Sequence, residues 1–328
     1  MINDDVTLLI AVDAGKDSIK YVYNNGEGLQ RGVFRTKVQK VENLGVDIEK
    51  DTFLVEYNNE KYLIGDMVNE SKLNFDLSKK SIEHKLAIYV AIWRVIENSG
   101  SSNVSVAIGA PLSIYKNAIL KEEYKEYIFN DGIVNIKINE KIVKFNIKNV
   151  LILPEAIGPI YSSDFNSFRN TRTVILDIGG LNTNICRFNN LVPDLNSMLV
   201  TNKGGNILKS KIADAISQKY GIIIYSEDVG EILKDNGILY INGKPQLDSK
   251  ILIKNLMKEH LNDIVNFAKQ NELDIFNSNG KVVFTGGGSL LLKEVIQQTY
   301  SYSQIAIEAQ FSNVLAFHKV LSIKNGQA

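Results

Sequence analysis

Two aspartates about half the chain apart stand in the same small constellation. Asp13 ends the apolar run Leu8-Leu9-Ile10-Ala11-Val12 and is followed by Gly15, Lys16, Asp17, Ser18 and Lys20. Asp177 ends Val174-Ile175-Leu176 and is followed by Gly179, Gly180, Asn182 and Thr183. The shared Asp-x-Gly spacing after an apolar run predicts strand, tight turn, strand in both places. Glycine lets backbone N–H groups approach phosphate oxygens closely, and Ser18, Asn182 and Thr183 add side-chain hydrogen bonds. A carboxylate at each strand end suits Mg²⁺, a hard cation that prefers oxygen and keeps much of its water shell. The chemistry implied is the holding of a polyphosphate with its metal, Asp13 and Asp177 being the metal-facing groups. Asp and Gly are also ordinary turn residues. One copy alone therefore decides little; two copies, one per half, suggest two similar domains that each contribute a loop to one site.

A third loop strengthens that reading. Val282-Val283-Phe284-Thr285 runs into Gly286, Gly287, Gly288 and Ser289 and then a helical pattern, which suits a phosphate or ribose edge at a helix start. It is not a dinucleotide fingerprint, because the third Gly of Gly-x-Gly-x-x-Gly is missing, and the chain contains no Gly-x-x-x-x-Gly-Lys-Ser/Thr loop. Gly204, Gly205 and Asn206 precede a helix expected to run through Tyr220 and predict another bare helix start near the second loop; a plain helix cap after a turn has the same look.

The elements that must position these residues can be read from periodicity. A first hairpin is expected over Val6 to Tyr23, with a nearly continuous apolar first strand, as in a sheet covered on both faces. Short strands follow to about residue 74, among them Phe53 to Gly65 with Asn58-Asn59 at a hairpin turn. Ser81 to Asn98 carries apolar residues at helical spacing, with His84 expected on the helix surface; Val104 to Ile108 is a strand, Lys116 to Tyr127 a charged helix, and Ile133 to Val150 a meander. The polar stretch Ser162 to Arg172 reads as the crossing into a second domain. There, Ile251 to Gln270 is an amphipathic helix and Val314 to Ile323 the last one.

At 328 residues, with 45% hydrophobic and 23% charged, the chain has the composition of a globular protein large enough for two cores. Lys+Arg and Asp+Glu balance at 37 each, so no overall basic field draws it to nucleic acid. No apolar run reaches membrane-spanning length, and the chain reads as cytoplasmic. Cys186 is the only cysteine. It lies in an expected strand, where an inert buried thiol is the ordinary outcome. No zinc spacing occurs.

The Asp13 loop with Lys20, the segment Leu153-Pro154-Glu155-Ala156, the Asp177-Ile178-Gly179-Gly180 loop and the Thr285-Gly286-Gly287-Gly288 loop occur in the order seen in the actin/Hsp70/sugar-kinase superfamily. Within it the chain most resembles the ParM/StbA group of actin-like plasmid-segregation ATPases, also in Ala107-Ile108-Gly109-Ala110-Pro111-Leu112 and in Phe311-Ser312-Asn313-Val314-Leu315-Ala316-Phe317. The resemblance implies a two-domain α/β actin-like (ribonuclease H-like) ATPase fold with the nucleotide between the domains. Domain I would span 1–165, with an inserted small subdomain at about 31–75 and a C-terminal helix at about 317–328 packed back on it. Domain II would span 166–316, with a small subdomain at about 205–275. It further implies ATP or GTP with Mg²⁺ as cofactors, filament formation by self-association and a DNA-binding adaptor of the ParR type, without direct nucleic-acid or membrane binding. Glu155 and Asp177 take the catalytic places, Glu155 facing the terminal phosphate. Glu231 and Lys234 match the Glu-x-x-Lys that flanks adenine and ribose in relatives, although a solvated helix pair looks the same.

The chain departs from the family pattern at Leu181 and Asn184, where many relatives have Thr and Asp, and at Ser312 and Ala316. Leu181 cannot donate to a phosphate, which leaves that task to Asn182 and Thr183. Two other functions use the same fold. A small-molecule kinase would need a carboxylate base, with Asp17 or Glu155 in that role. A scaffold would bind nucleotide without cycling.

Overall fold

The computed structural model describes residues 6–69, 79–162, 165–276 and 280–327. The chain divides into two compact units, one of residues 1–165 with 311–328, the other of residues 166–310.

The first unit is built on a nine-stranded sheet. Its strands are β1 (Thr7–Ala14), β2 (Ser18–Asn24), β3 (Leu29–Arg35), β4 (Val38–Val41), β5 (Thr52–Tyr57), β6 (Glu60–Gly65), β7 (Asn103–Ala110), β8 (Ile133–Ile138) and β9 (Lys141–Pro154), in the order β3-β2-β1-β7-β9-β8-β5-β6-β4. β1, β7 and β9 run parallel at the centre. Every residue of β7 is buried, and so are the last six of β1, as a sheet covered on both faces requires. The helices are α1 (Ile82–Ser99), α2 (Leu112–Tyr115), α3 (Ala118–Phe129) and α4 (Gly158–Ser162); α1 and the C-terminal helix, Ser312–Lys324, both pack on β1. Ser81 caps α1 by accepting from the His84 amide, and Gly100 ends it in the left-handed region at φ 71°. The β5–β6 hairpin turns through Asn58 and Asn59, both with positive φ, as a two-residue turn matched to strand twist demands. β4, β5 and β6 are hydrogen-bonded into the central sheet through β8, whereas β3 lies at the opposite edge. Residues 70–75 of the stretch expected to form a small insertion lie outside the described residues.

The second unit has a six-stranded sheet formed by β10 (Arg172–Ile178), β11 (Thr183–Asn189), β12 (Val192–Pro193), β13 (Leu199–Thr201), β16 (Lys281–Thr285) and β17 (Gln304–Ile305), with a separate hairpin of β14 (Leu239–Ile241) and β15 (Lys244–Gln246). Its helices are α5 (Gly205–Tyr220), α6 (Val229–Lys234), α7 (Leu247–Gln270), α8 (Gly287–Leu291) and α9 (Lys293–Thr299). α7 starts earlier than the Ile251 read from the pattern. Its buried residues Ile253, Met257, Leu261, Ile264 and Ala268 recur every three or four positions, so one stripe meets Val174, Leu176 and Ile178 of β10 in a single core.

Two side chains test the reading of surface and interior. His84 is not on the surface: it is buried beneath α3, because α1 is enclosed over most of its circumference. Cys186 is buried on β11 and its thiol is pushed up to about 12 by that burial, which leaves no thiolate at neutral pH. Among the described residues no helix is long and apolar enough to cross a membrane.

Candidate functional site

The first Asp-Gly hairpin joins β1 to β2. Antiparallel register sets Asp13 directly across from Lys20, and their side chains form an ion pair at 3.7 Å, both largely buried. The turn between them is fastened from outside: the Thr36 hydroxyl donates to the Gly15 carbonyl at 2.8 Å, and the Thr36 amide to the Asp17 carbonyl at 3.1 Å. Ser18 is buried and Lys16 half-buried. The Asp17 carboxylate is engaged by Arg35 at 3.3 Å.

Glu155 is set by the sheet. β9 runs parallel to β7 as far as the pair Ala110 and Pro154, and the Glu155 amide then donates to the Ala110 carbonyl at 2.9 Å. The next residue, Ala156, is fully buried in the left-handed region at φ 68°, which turns the chain away sharply and leaves the carboxylate at the strand end. Its side chain, about one-tenth exposed, lies 3.5 Å from Lys79 Nζ. Lys79 in turn donates to the Ala14 carbonyl at 2.5 Å, between Asp13 and Gly15. Below this group, His84 Nε2 and the Tyr124 hydroxyl are hydrogen-bonded at 2.8 Å, both buried. Burial, then the charges of Lys79 and Lys16, hold the His84 imidazole well below its usual range; burial, then Glu155 and Asp13, push the Tyr124 phenol up. Asp13, Lys16, Lys79 and Glu155 therefore share one small volume over a neutral His–Tyr pair. Sequence reasoning missed Lys79. It stands in a run of polar residues between patterned elements, and its burial comes only from the tertiary fold.

In the second unit the β10–β11 hairpin repeats the design, with Asp177 across from Asn184 and the Gly179 amide bonded to the Asn182 carbonyl at 2.9 Å. β16 runs parallel to β10 and brings Thr285 alongside Asp177, so the Gly286 turn meets the carboxylate. Gly286 has φ 82°, and a β-carbon there would lie 2.5 Å from Asp177 Oδ1. Only glycine admits that approach. Gly287 is exposed at the start of α8, while the Ser289 hydroxyl is buried and donates to the Gly286 carbonyl at 2.7 Å. The Thr183 hydroxyl likewise donates to the Lys203 carbonyl at 2.7 Å, which leaves half-buried Asn182 as the polar side chain of this turn without that commitment. The start of α5 is not bare. The amides of Gly204, Gly205 and Asn206 donate to the carbonyls of Leu181, Gly179 and Gly180 at 2.9, 2.8 and 2.7 Å. The Gly pair thus docks the helix against the second loop and satisfies its first donors within the protein.

A cavity of about 430 Å³ opens beside the third loop, lined by Lys209 of α5, Lys234 of α6, Ile253 and Met257 of α7, and Leu290 and Leu291 just after the glycines. Lys250, Lys254 and Glu294 also line it, so an apolar floor is rimmed by charged side chains, a combination that suits a flat heterocycle carrying polar groups. Lys234 borders it and pairs with Glu231 at 2.6 Å, both on the surface. Among the described residues, no group of three or more His, Cys, Asp or Glu side chains gathers as an all-protein metal cage would. A Mg²⁺ held by one carboxylate, waters and phosphate oxygens requires no such cage, and Asp13 or Asp177 fits that donor set.

Residues 11–158 match the family model described as the actin-like proteins N-terminal domain. No curated protein sequence is significantly similar to the chain. Among solved structures, Ta0583, an archaeal actin homolog, is 17% identical with a TM-score of 0.80 over 97% of this chain and 100% of that one. The Alp12 filament subunit is 26% identical with a TM-score of 0.71 over 97% and 99%. The subunit of a 15-stranded ParM filament from Clostridium botulinum is 20% identical with a TM-score of 0.75 over 97% and 99%. Ta0583 has also been solved in complex with ADP. The chain thus has the two-domain actin-like fold over nearly its whole length.

Proposed function

We propose that this protein is a nucleotide-driven filament former. It binds ATP or GTP with Mg²⁺, assembles with itself, and hydrolyses the bound nucleotide to limit filament lifetime. The cellular task assigned to it is plasmid segregation in the cytoplasm, through a DNA-bound adaptor of the ParR type. The observation that carries the reading lies within one unit: the Gly286 turn packs against Asp177, and the short helix that follows it supplies Leu290 and Leu291 to the wall of a cavity of about 430 Å³, so a glycine turn suited to phosphate and a recess able to take a base share one element. Support also comes from the fold shared with Ta0583, solved with ADP, and with Alp12 and ParM, solved as filaments.

In this reading Gly179, Gly180, Asn182, Gly286, Gly287 and Gly288 receive phosphates, and Lys234, with Glu231 behind it, borders the base. Gly204, Gly205 and Asn206 hold α5 against the phosphate loop, and Thr183 and Ser289 stiffen the turns rather than touch ligand. The first unit offers Gly15, Lys16, Ser18 and Lys20 to phosphate, Asp17 locking that turn through Arg35. Asp13 and Asp177 are the carboxylates for Mg²⁺, and Glu155 orients the attacking water. The metal ion, when bound, would neutralise charge that develops on the phosphates.

Light scattering and pelleting with ATP, GTP and non-hydrolysable analogues test the proposal. Cooperative assembly above a critical concentration with nucleotide, and little without it, is expected. A chain that stays monomeric with every nucleotide over a wide concentration range would refute filament formation. One observation favours a second reading, a scaffold that binds nucleotide without turnover: Leu181 is buried and the Thr183 hydroxyl is already used, so this turn offers the terminal phosphate fewer donors than its relatives do. Assembly or binding with no phosphate release would identify that case.

A further inference from the structure

Lys79 combines three features that local sequence does not explain. It is 3% exposed, its backbone sits in the left-handed region at φ 60°, and its ammonium joins two separate pieces of the first unit, the Ala14 carbonyl at 2.5 Å and the Glu155 carboxylate at 3.5 Å. Lysine is almost never buried unless paired, and a non-glycine residue at positive φ persists only when its surroundings enforce it. Both costs fall on one residue. Its partners are the end of the strand that carries Asp13 and the carboxylate assigned above to the attacking water.

We infer that Lys79 is a positioning residue for hydrolysis: its ammonium holds the Glu155 carboxylate at a fixed place relative to the Asp13–Gly15 turn, so that water and phosphate loop meet in one geometry. The inference rests on the hydrolysis reading. It goes beyond it by naming the group that orients the water-directing carboxylate. A flexible Glu155 would reach the same water in many poses, and small misplacements of reacting groups carry large rate penalties. A merely structural clamp would also join the same atoms. The two differ in whether the rate depends on Lys79 through Glu155.

The test uses the full chain and four variants: Lys79→Met, Lys79→Arg, Glu155→Gln, and Lys79→Met with Glu155→Gln. Nucleotide affinity, single-turnover phosphate release and thermal unfolding are measured for each. Expected are nucleotide affinity unchanged in Lys79→Met, phosphate release slower by about 10-fold or more, partial rescue in Lys79→Arg, and no further slowing when Lys79→Met is added to Glu155→Gln. Wild-type release in Lys79→Met, or equal slowing with and without the Glu155 carboxylate, would overturn the assignment while leaving the hydrolysis reading standing. A wild-type chain that releases no phosphate would overturn that reading and the assignment with it. If Lys79→Met does not fold, Lys79→Gln, which keeps a donor for the Ala14 carbonyl without the charge, takes its place: slow release rescued by Lys79→Arg supports the inference, and wild-type release overturns it.

Discussion

The two Asp-Gly hairpins are built alike and wired differently. In each, an aspartate ends a buried strand, a glycine-bearing turn follows, and the parallel neighbour strand brings its own glycine alongside: Gly109, one residue past the Val12 and Ile108 pair, in the first unit, and Gly286 in the second. The residue across the ladder differs. Asp13 faces Lys20 and forms an ion pair, whereas Asp177 faces the amide of Asn184. The neighbouring glycines differ too, because Gly286 has positive φ and a β-carbon there would press on the Asp177 carboxylate, while a β-carbon at Gly109 would lie 2.7 Å from the Phe317 ring. A repeated backbone solution therefore does not imply repeated side chains across the ladder: the first hairpin sets a lysine opposite its aspartate, and the second an asparagine.

That contrast can be broken most directly at the aspartates. Asp177→Ala is expected to weaken Mg²⁺-nucleotide binding the more, by about 10²-fold, the upper end of the usual cost of losing a group that supports a bound metal through its outer shell. Asp13→Ala should cost less, since it frees the Lys20 ammonium to meet phosphate charge directly. Titration with labelled nucleotide, with and without Mg²⁺, measures both; equal losses would mean that the partners across the ladder are irrelevant.

The glycines give the next largest effect. Gly286→Ala combines a disfavoured φ with overlap on fixed backbone, the Ile178 carbonyl among it, and should destabilise by about 2–3 kcal/mol. Gly109→Ala meets a side chain at an ordinary φ and should destabilise by about 1–2 kcal/mol. Urea unfolding would decide, and the reverse order would show that the Phe317 contact is the stiffer one.

A separate test of the two interiors is pH dependence. His84 and His318 in the first unit and His260 in the second are all buried, and burial lowers each; His260 is brought to about 4. The unfolded chain takes up these protons first as pH falls below its ordinary histidine range near 6.5, so their contribution is complete above that value and is lost as pH drops toward the folded-state values. The slope should approach about 1.4 kcal/mol per pH unit for each histidine while it titrates. Thermal unfolding at pH 7.5 and 5 should show the loss, and His84→Gln should reduce it. An unchanged slope would show that His84 is not held neutral in the fold.

Much of this is legible in the amino-acid order, and the reason is local. An apolar run buried on both faces, ended by Asp and a glycine-bearing turn, is a strand and hairpin by backbone sterics and burial alone, so β1–β2, β10–β11 and the β16–Gly286 loop follow from neighbouring residues. The Asn58-Asn59 turn and the stripe of α7 are equally plain, because turn torsions and helical period are properties of short stretches of chain. Tertiary structure decides what lies across a ladder or beneath a helix. The sequence contains Lys20 and Asn184, but only antiparallel register makes them the partners of Asp13 and Asp177. The helical pattern around His84 shows one face; enclosure of α1 by sheet and α3 buries the rest. Gly204-Gly205 announces a helix start, yet only the docking of α5 fills its amides with loop carbonyls. Lys79 is the extreme case, a polar residue in a polar stretch whose role rests on two contacts 65 and 76 residues away in sequence, and contacts at that separation are set by how sheets and helices pack, which no window of neighbouring residues contains.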